Sequence, residues 1–335
     1  MKIARGIWLL VFALMLGACG DEWLEEEETS KVQVETASTQ TEDAANYVDE
    51  ELEMVDLVGD GCKEGEVYIE EDDVCSLVVA CDDPEGCVEW GDELVSVLEE
   101  EYGSLVYEES VPEPFDGLDT IAVYEVDLET EELYADANID DETMEYHAGL
   151  WYSYAWIIPE HARPEMDRFE VFQSGDRLAH VYIHDETAAS QWTLGINNEH
   201  QEYASESMVT YIHEFAHLLS LRETEVDYYS EACETSLIEE YCYFDDAYIA
   251  DFYHQFYADG KAAYTEDHYV TEYAETTIVE DFAETFAHFV LTAYPAGDTL
   301  VEEKIRFFYQ YENLIELRAE MLGRAATWMD RIVVE

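Results

Sequence analysis

Residues 211–221 read YIHEFAHLLSL. In a helix, His213 and His217 lie one turn apart, so their side chains leave the same face. Met208, Val209, Ile212, Phe215, Ala216, Leu218 and Leu219 supply an apolar surface at helical spacing, which predicts a helix over 204–221. Glu214 projects about 100° round the axis from His213. The pattern is H-E-x-x-H, and each residue type has a chemical reason to be there. Zinc takes nitrogen donors at about 2.0–2.1 Å in a tetrahedral array, and two imidazoles fill two of its positions. Zinc also lowers the pKa of a neighbouring water towards about 7, which lets a carboxylate such as Glu214 act as general base. The expectation is therefore Zn2+ on His213 and His217, with Glu214 as a catalytic residue. The bland alternative is a polar stripe on an amphipathic helix.

A third protein ligand is needed. A glycine three residues after His217 and a histidine six after it would complete one known arrangement, but those positions hold Ser220 and Glu223. A carboxylate from a second helix is the remaining source. IVEDFAETFAHFV, residues 278–290, places Glu280 and Glu284 one turn apart, with Ile278, Phe282, Phe286 and Phe289 free to pack inward. One glutamate could ligate while the other accepts a hydrogen bond from a ligand imidazole and fixes its tautomer. In so acidic a chain the pair could equally be two acids on a wet face. Glu239 or Glu240, nearer the first helix, are rival ligands.

The 335 residues carry 82 acids against 14 bases, a formal net charge of −68. Such a chain repels nucleic acid, which excludes that partner. It fits a saline habitat, attraction of basic substrates, or simply a solvated acidic surface. Lys2 and Arg5 precede an apolar run from Ile7 to Leu16 that is too short for a membrane span. Leu16-Gly17-Ala18-Cys19 resembles the lipobox of bacterial lipoproteins. That resemblance implies a signal peptide over 1–18 and a lipid on Cys19, which would hold the chain at the membrane. Gly20 stands where some lipoproteins carry the aspartate that retains them at the inner membrane. The expected location is the cell envelope, at the outer membrane where the cell has one, facing periplasm or exterior. The other six cysteines suit an oxidising compartment. Local spacing favours Cys62–Cys75, Cys81–Cys87 and Cys233–Cys242.

Residues 19–60 read as an acidic flexible tether. Residues 61–114 form a small cysteine-containing region, either a stapled module or the start of the main domain. VYIEEDDVC and SLVVAC suggest short strands, DDPEG a turn, and GDELVSVLEEEYG a helix. From 115 to 335, TIAVYEVDL alternates like a strand and a helix ends near Pro159. FEVFQSG, AHVYIHDE and QWTLGIN follow as strands. Further helices are predicted at 245–258, 278–293 and 300–329. Strands first and helices after predict an α+β domain, a small mixed sheet packed on the 204–221 helix with a helical C-terminal half.

The segment YVTEYAETTIVEDFAETFA resembles the second half of the active site in bacterial gluzincins related to the anthrax lethal factor catalytic domain. The matching residues are Tyr273, Ala274, Glu280, Asp281, Phe282, Ala283 and Glu284. ACETSLIEEYC and the aromatic segment DDAYIADFYHQFY also look like members with a cysteine pair between the two motifs. The resemblance spans about 140–295. It implies a zincin-like catalytic domain, Glu280 as third zinc ligand, Glu284 as the acceptor behind a ligand histidine, and Tyr273 as the phenol that steadies an oxyanion. In this family an edge strand binds substrate backbone, a part that QWTLGIN with Trp192 and Leu194 could take; sheet core is the preferred place for Trp192. The implied activity is that of a lipid-anchored zinc metallopeptidase acting on peptides or proteins. A catalytically silent surface lipoprotein that keeps the fold as a binding protein is the alternative.

Overall fold

The structure, a computed structural model, describes residues 66–69, 74–77, 81–106, 118–135, 139–174, 177–185, 188–198, 204–230, 232–258 and 266–334. The signal segment, Cys19, the 19–60 tether and Cys62 lie outside these residues, and with Cys62 the Cys62–Cys75 pairing. No helix among the described residues is long and apolar enough to cross a membrane.

Two short strands, β1 (Glu66–Ile69) and β2 (Val74–Leu77), pair antiparallel and precede α1 (Pro84–Tyr102). The DDPEG stretch expected as a turn is instead the start of this helix. Asp83 accepts from the Gly86 amide at 2.8 Å and Pro84 occupies the first turn. An Asp-Pro pair suits a turn and a helix start equally, because proline lacks the N–H that a helix leaves unpaired there. The Cys81–Cys87 disulfide closes over the same end. Val95 and Leu98 of α1 enter the same core as the helices and sheet that follow.

A five-stranded mixed sheet comes next, in the order β4 (Leu133–Ala135), β3 (Asp119–Val126), β5 (Met166–Gln173), β7 (Trp192–Asn197), β6 (Ala179–Ile183). Only the β5–β7 pairing within it is parallel. Between β4 and β5 runs α2 (Asp141–Ile157), capped by Asp140 through the Thr143 amide and followed by Pro159. Phe169 and Val171 of β5 and Leu194 and Ile196 of β7 are fully buried. β7 is therefore interior, and Trp192 is sheet core as preferred. The edge position that the sequence left open to QWTLGIN belongs to β6. A hydrophobic run flanked by neighbours on both sides reads much like an edge strand until its partners are known.

Helix α3 (Ala204–Leu221) lies under the sheet and is buried without interruption from Ser207 to Ser220. The hairpin β8 (Ser236–Ile238) and β9 (Tyr241–Tyr243), closed by the Cys233–Cys242 disulfide, leads to α4 (Tyr248–Phe256). Helix α5 (Ile278–Leu291) packs along α3. The helix expected over 300–329 is two, α6 (Leu300–Phe308) and α7 (Glu312–Val334). At the break, Tyr309 packs edge-on to Phe289 and Tyr294, while Tyr311 packs on Tyr248 and bonds Asp251 at 2.9 Å. No proline or glycine marks this break, so the partners of the two tyrosines decide it. The protein is thus a mixed α+β fold in which sheet and helices share one core.

Candidate metal centre

Helix α3 presents His213 and His217 one turn apart, and α5 brings Glu280 to meet them. The two imidazole Nε2 atoms are 2.9 Å apart. Glu280 Oε2 lies 3.2 Å from His213 Nε2 and 3.1 Å from His217 Nε2. Donors bound to one tetrahedral zinc at about 2.0–2.1 Å stand about 3.3–3.4 Å apart, close to this triangle. The chemistry of the set fits as well. Three lone-pair acceptors turned towards one another repel unless a cation or protons sit among them. Among the described residues these three form the one group of histidine, cysteine, aspartate and glutamate side chains placed to hold a metal ion.

A second set of bonds fixes the first. His213 Nδ1 is 2.5 Å from Glu284 Oε1, so an ionised Glu284 accepts the Nδ1 proton and leaves the Nε2 lone pair facing the centre. The other Glu284 oxygen accepts from Thr271 Oγ1 at 2.8 Å, and Thr271 Oγ1 accepts from the Ala274 amide at 3.1 Å. A chain of four groups therefore runs from a backbone N–H to the ligand imidazole. Nothing in the residue pattern singled out Thr271, which stands just ahead of the 3-10 turn Tyr273–Glu275 and joins the site through its bond to Glu284. His217 Nδ1 has no hydrogen-bond partner among the described residues.

Burial alone would lower the His213 pKa, but Glu280 and Glu284 hold it well above the ordinary imidazole value. Burial would raise the Glu280 pKa, yet His217 and His213 hold it far below the usual carboxylate range. Glu284 is likewise held low by His213 and Thr271 against its burial. Each carboxylate is thus kept ionised beside the imidazoles.

Tyr273 stacks its ring on His213, centroids 5.8 Å apart, and donates its hydroxyl to Glu280 Oε1 at 3.0 Å. Burial, and then the Glu280 charge, raises its pKa, so the phenol keeps its proton. Glu214 is buried, and its Oε2 has no hydrogen-bond partner among the described residues. Both residues line a cleft of about 240 Å³ with the three candidate ligands. No protein-family model matches the chain, and no curated protein or solved structure matches it.

Strand β6 forms one wall of this cleft through Ala179, His180 and Val181, with Arg177 just ahead of it. This is the rim that the sequence leaves open to QWTLGIN, which is instead the interior strand β7. Gly195 of β7 sits under the His180 ring, where a Cβ would come within 2.4 Å of it. His180 thereby crosses β7 and comes 3.7 Å from Glu170 of β5. His184 stands 3.6 Å from Asp167, so these two histidines serve the sheet. The rival ligands are elsewhere. Glu240 is exposed, and Glu239 Oε1 accepts from the Ile278 amide at 3.1 Å.

Proposed function

We propose that this chain is an exported, lipid-anchored zinc metallopeptidase of zincin-like fold, with His213, His217 and Glu280 as ligands. The observation that carries the reading is the triangle of Nε2, Nε2 and Oε2 atoms, 2.9–3.2 Å on each edge, at the floor of a cleft that also holds Glu214. Zinc, when bound, supplies a positive charge that lowers the pKa of adjacent water and polarises a carbonyl. This chain's residues do the rest. Glu214 Oε2, without a hydrogen-bond partner among the described residues, takes a proton from the attacking water as the water oxygen bonds the scissile carbon. Glu214 then gives that proton to the amine nitrogen as the C–N bond breaks. Tyr273, which keeps its hydroxyl proton, donates to the oxyanion that forms between those steps. Glu284 keeps His213 in the tautomer that the ligand role needs.

The Cys81–Cys87 and Cys233–Cys242 disulfides support the export part of the reading, since such bonds persist in oxidising compartments. Strand β6, an edge strand among the described residues, runs along the cleft wall, where an extended peptide can add to it. The deciding experiment compares wild type with Glu214→Gln. The variant is expected to keep one zinc per chain and to lose hydrolysis of a mixed peptide library by about 10²–10⁴-fold. Equal activity in both would remove Glu214 from the mechanism.

A further inference from the structure

The proposed ligand Glu280 lies in the first turn of α5, the part of a helix whose amides lack intrahelical partners and which frays first. Two side chains take those amides. Thr277 Oγ1 accepts from the Glu280 amide itself at 3.1 Å. Glu239 Oε1 accepts from the Ile278 amide, also at 3.1 Å, from a separate hairpin. We infer that Glu239 is a positioning residue for the metal centre: through the Ile278 amide it holds the first turn of α5 at the height that lets Glu280 meet the two imidazoles. This inference rests on the reading of Glu280 as a ligand.

Three observations beyond the bond itself support it. Glu239 occupies the tip between β8 and β9 with φ of +53°, a left-handed conformation. Glycine or asparagine adopts that conformation at little cost, whereas other residues are disfavoured there by contact of the Cβ with the following carbonyl oxygen. The backbone therefore does not call for glutamate; the reach of its carboxylate does. The hairpin is also a stiff arm. Its base is closed by the Cys233–Cys242 disulfide, and Thr235 Oγ1 bonds the Tyr243 carbonyl. Ile238, next to Glu239, is buried in the main core, and Ser236 Oγ is 3.2 Å from His254 Nε2 of α4. Finally, a carboxylate at a helix N-terminus is favoured by the unpaired amides and the helix dipole.

A helix cap with no bearing on the metal would change stability and leave affinity alone. The test separates these. Zinc affinity of the full chain is measured by chelator competition, beside the apo-protein melting temperature and the visible spectrum of the Co2+ form. Glu239→Gly removes the acceptor and also relieves the left-handed conformation. It is expected to weaken zinc binding about tenfold or more, with the apo melting temperature unchanged or higher and the Co2+ bands altered. Glu239→Asn, suited to the conformation but one methylene too short, should behave alike and serves if the glycine variant does not fold. Glu239→Gln keeps a carbonyl acceptor and should restore affinity to within about threefold. Wild-type affinity and an unchanged Co2+ spectrum in the glycine and asparagine variants would overturn the positioning role. A wild-type chain that binds no zinc would instead overturn the reading of the centre, and the positioning role with it.

Discussion

The proton on His213 Nε2 competes directly with a metal for the same lone pair. Without metal, the Glu280 and Glu284 carboxylates hold the His213 pKa well above its ordinary value of about 6.5. A group raised in this way stabilises the apo fold fully below about 6.5, and that contribution is lost as pH rises through the folded value. Metal binding runs the other way, because the ligand must be deprotonated. Zinc affinity should therefore climb about tenfold per pH unit from about pH 6.5 up to the folded pKa, with one proton released per ion. Calorimetry in buffers of different ionisation enthalpy counts that proton, and a pH-independent affinity would sink the account. Tyr273 makes a second prediction at this scale. Tyr273→Phe should keep zinc and cut kcat about 10²–10³-fold, since the phenol is an oxyanion donor and only a neighbour of the ligands. A variant that lost zinc while retaining kcat when saturated with metal would reverse those roles.

At the scale of an element, α5 matters more than its ligand turn alone. The residue after Glu280, Asp281, is fully buried and pairs with the buried Lys304 of α6 at 2.7 Å. Lys304 also donates to the His268 carbonyl at 2.9 Å and lies over the Tyr269 ring, while Tyr257 donates to Asp281 at 2.5 Å. Burial raises the Asp281 pKa and lowers that of Lys304, so each charge would be costly without the other. Lys304→Met alone should destabilise the protein by about 3–5 kcal/mol, by leaving Asp281 buried and unpaired. Adding Asp281→Leu should recover most of that loss. Urea midpoints of the two variants and wild type decide it, and a double variant weaker than the single would contradict the argument. The EDFAE stretch thus carries two kinds of residue. Glu280 and Glu284 serve the centre, and Asp281 fastens their helix to α6.

At the scale of the whole molecule, three basic side chains among the described residues are buried in ion pairs. Arg163 pairs with Glu131, Arg318 with Asp92 at 2.9 Å, and Lys304 with Asp281, and all three basic side chains are buried. With 14 bases against 82 acids, burying these leaves a surface of strongly one sign. Self-repulsion of such a surface is screened as the Debye length falls from about 10 Å at 0.1 M salt to about 3 Å at 1 M. The urea midpoint should therefore rise as NaCl is raised across that range, and KCl should act alike. A midpoint independent of salt would show that the acids are balanced in another way.

Much of this was legible in the residues. The apolar spacing within 204–221 and 278–293 predicts two helices, and α3 and α5 stand there. The H-E-x-x-H spacing placed His213 and His217 on one face, since residues one turn apart share it, and set Glu214 beside them, about 100° round the axis. Other features belonged to the tertiary structure. Which carboxylate meets the imidazoles depends on how α5 lies along α3, 63 residues beyond His217 in the case of Glu280, and no local pattern records that. The interior place of β7, the edge place of β6, the split of the last helix at Tyr309–Tyr311 and the cap supplied by Glu239 depend likewise on partners distant in sequence. Local spacing determines what a segment can present, and only the packing of segments determines what it meets.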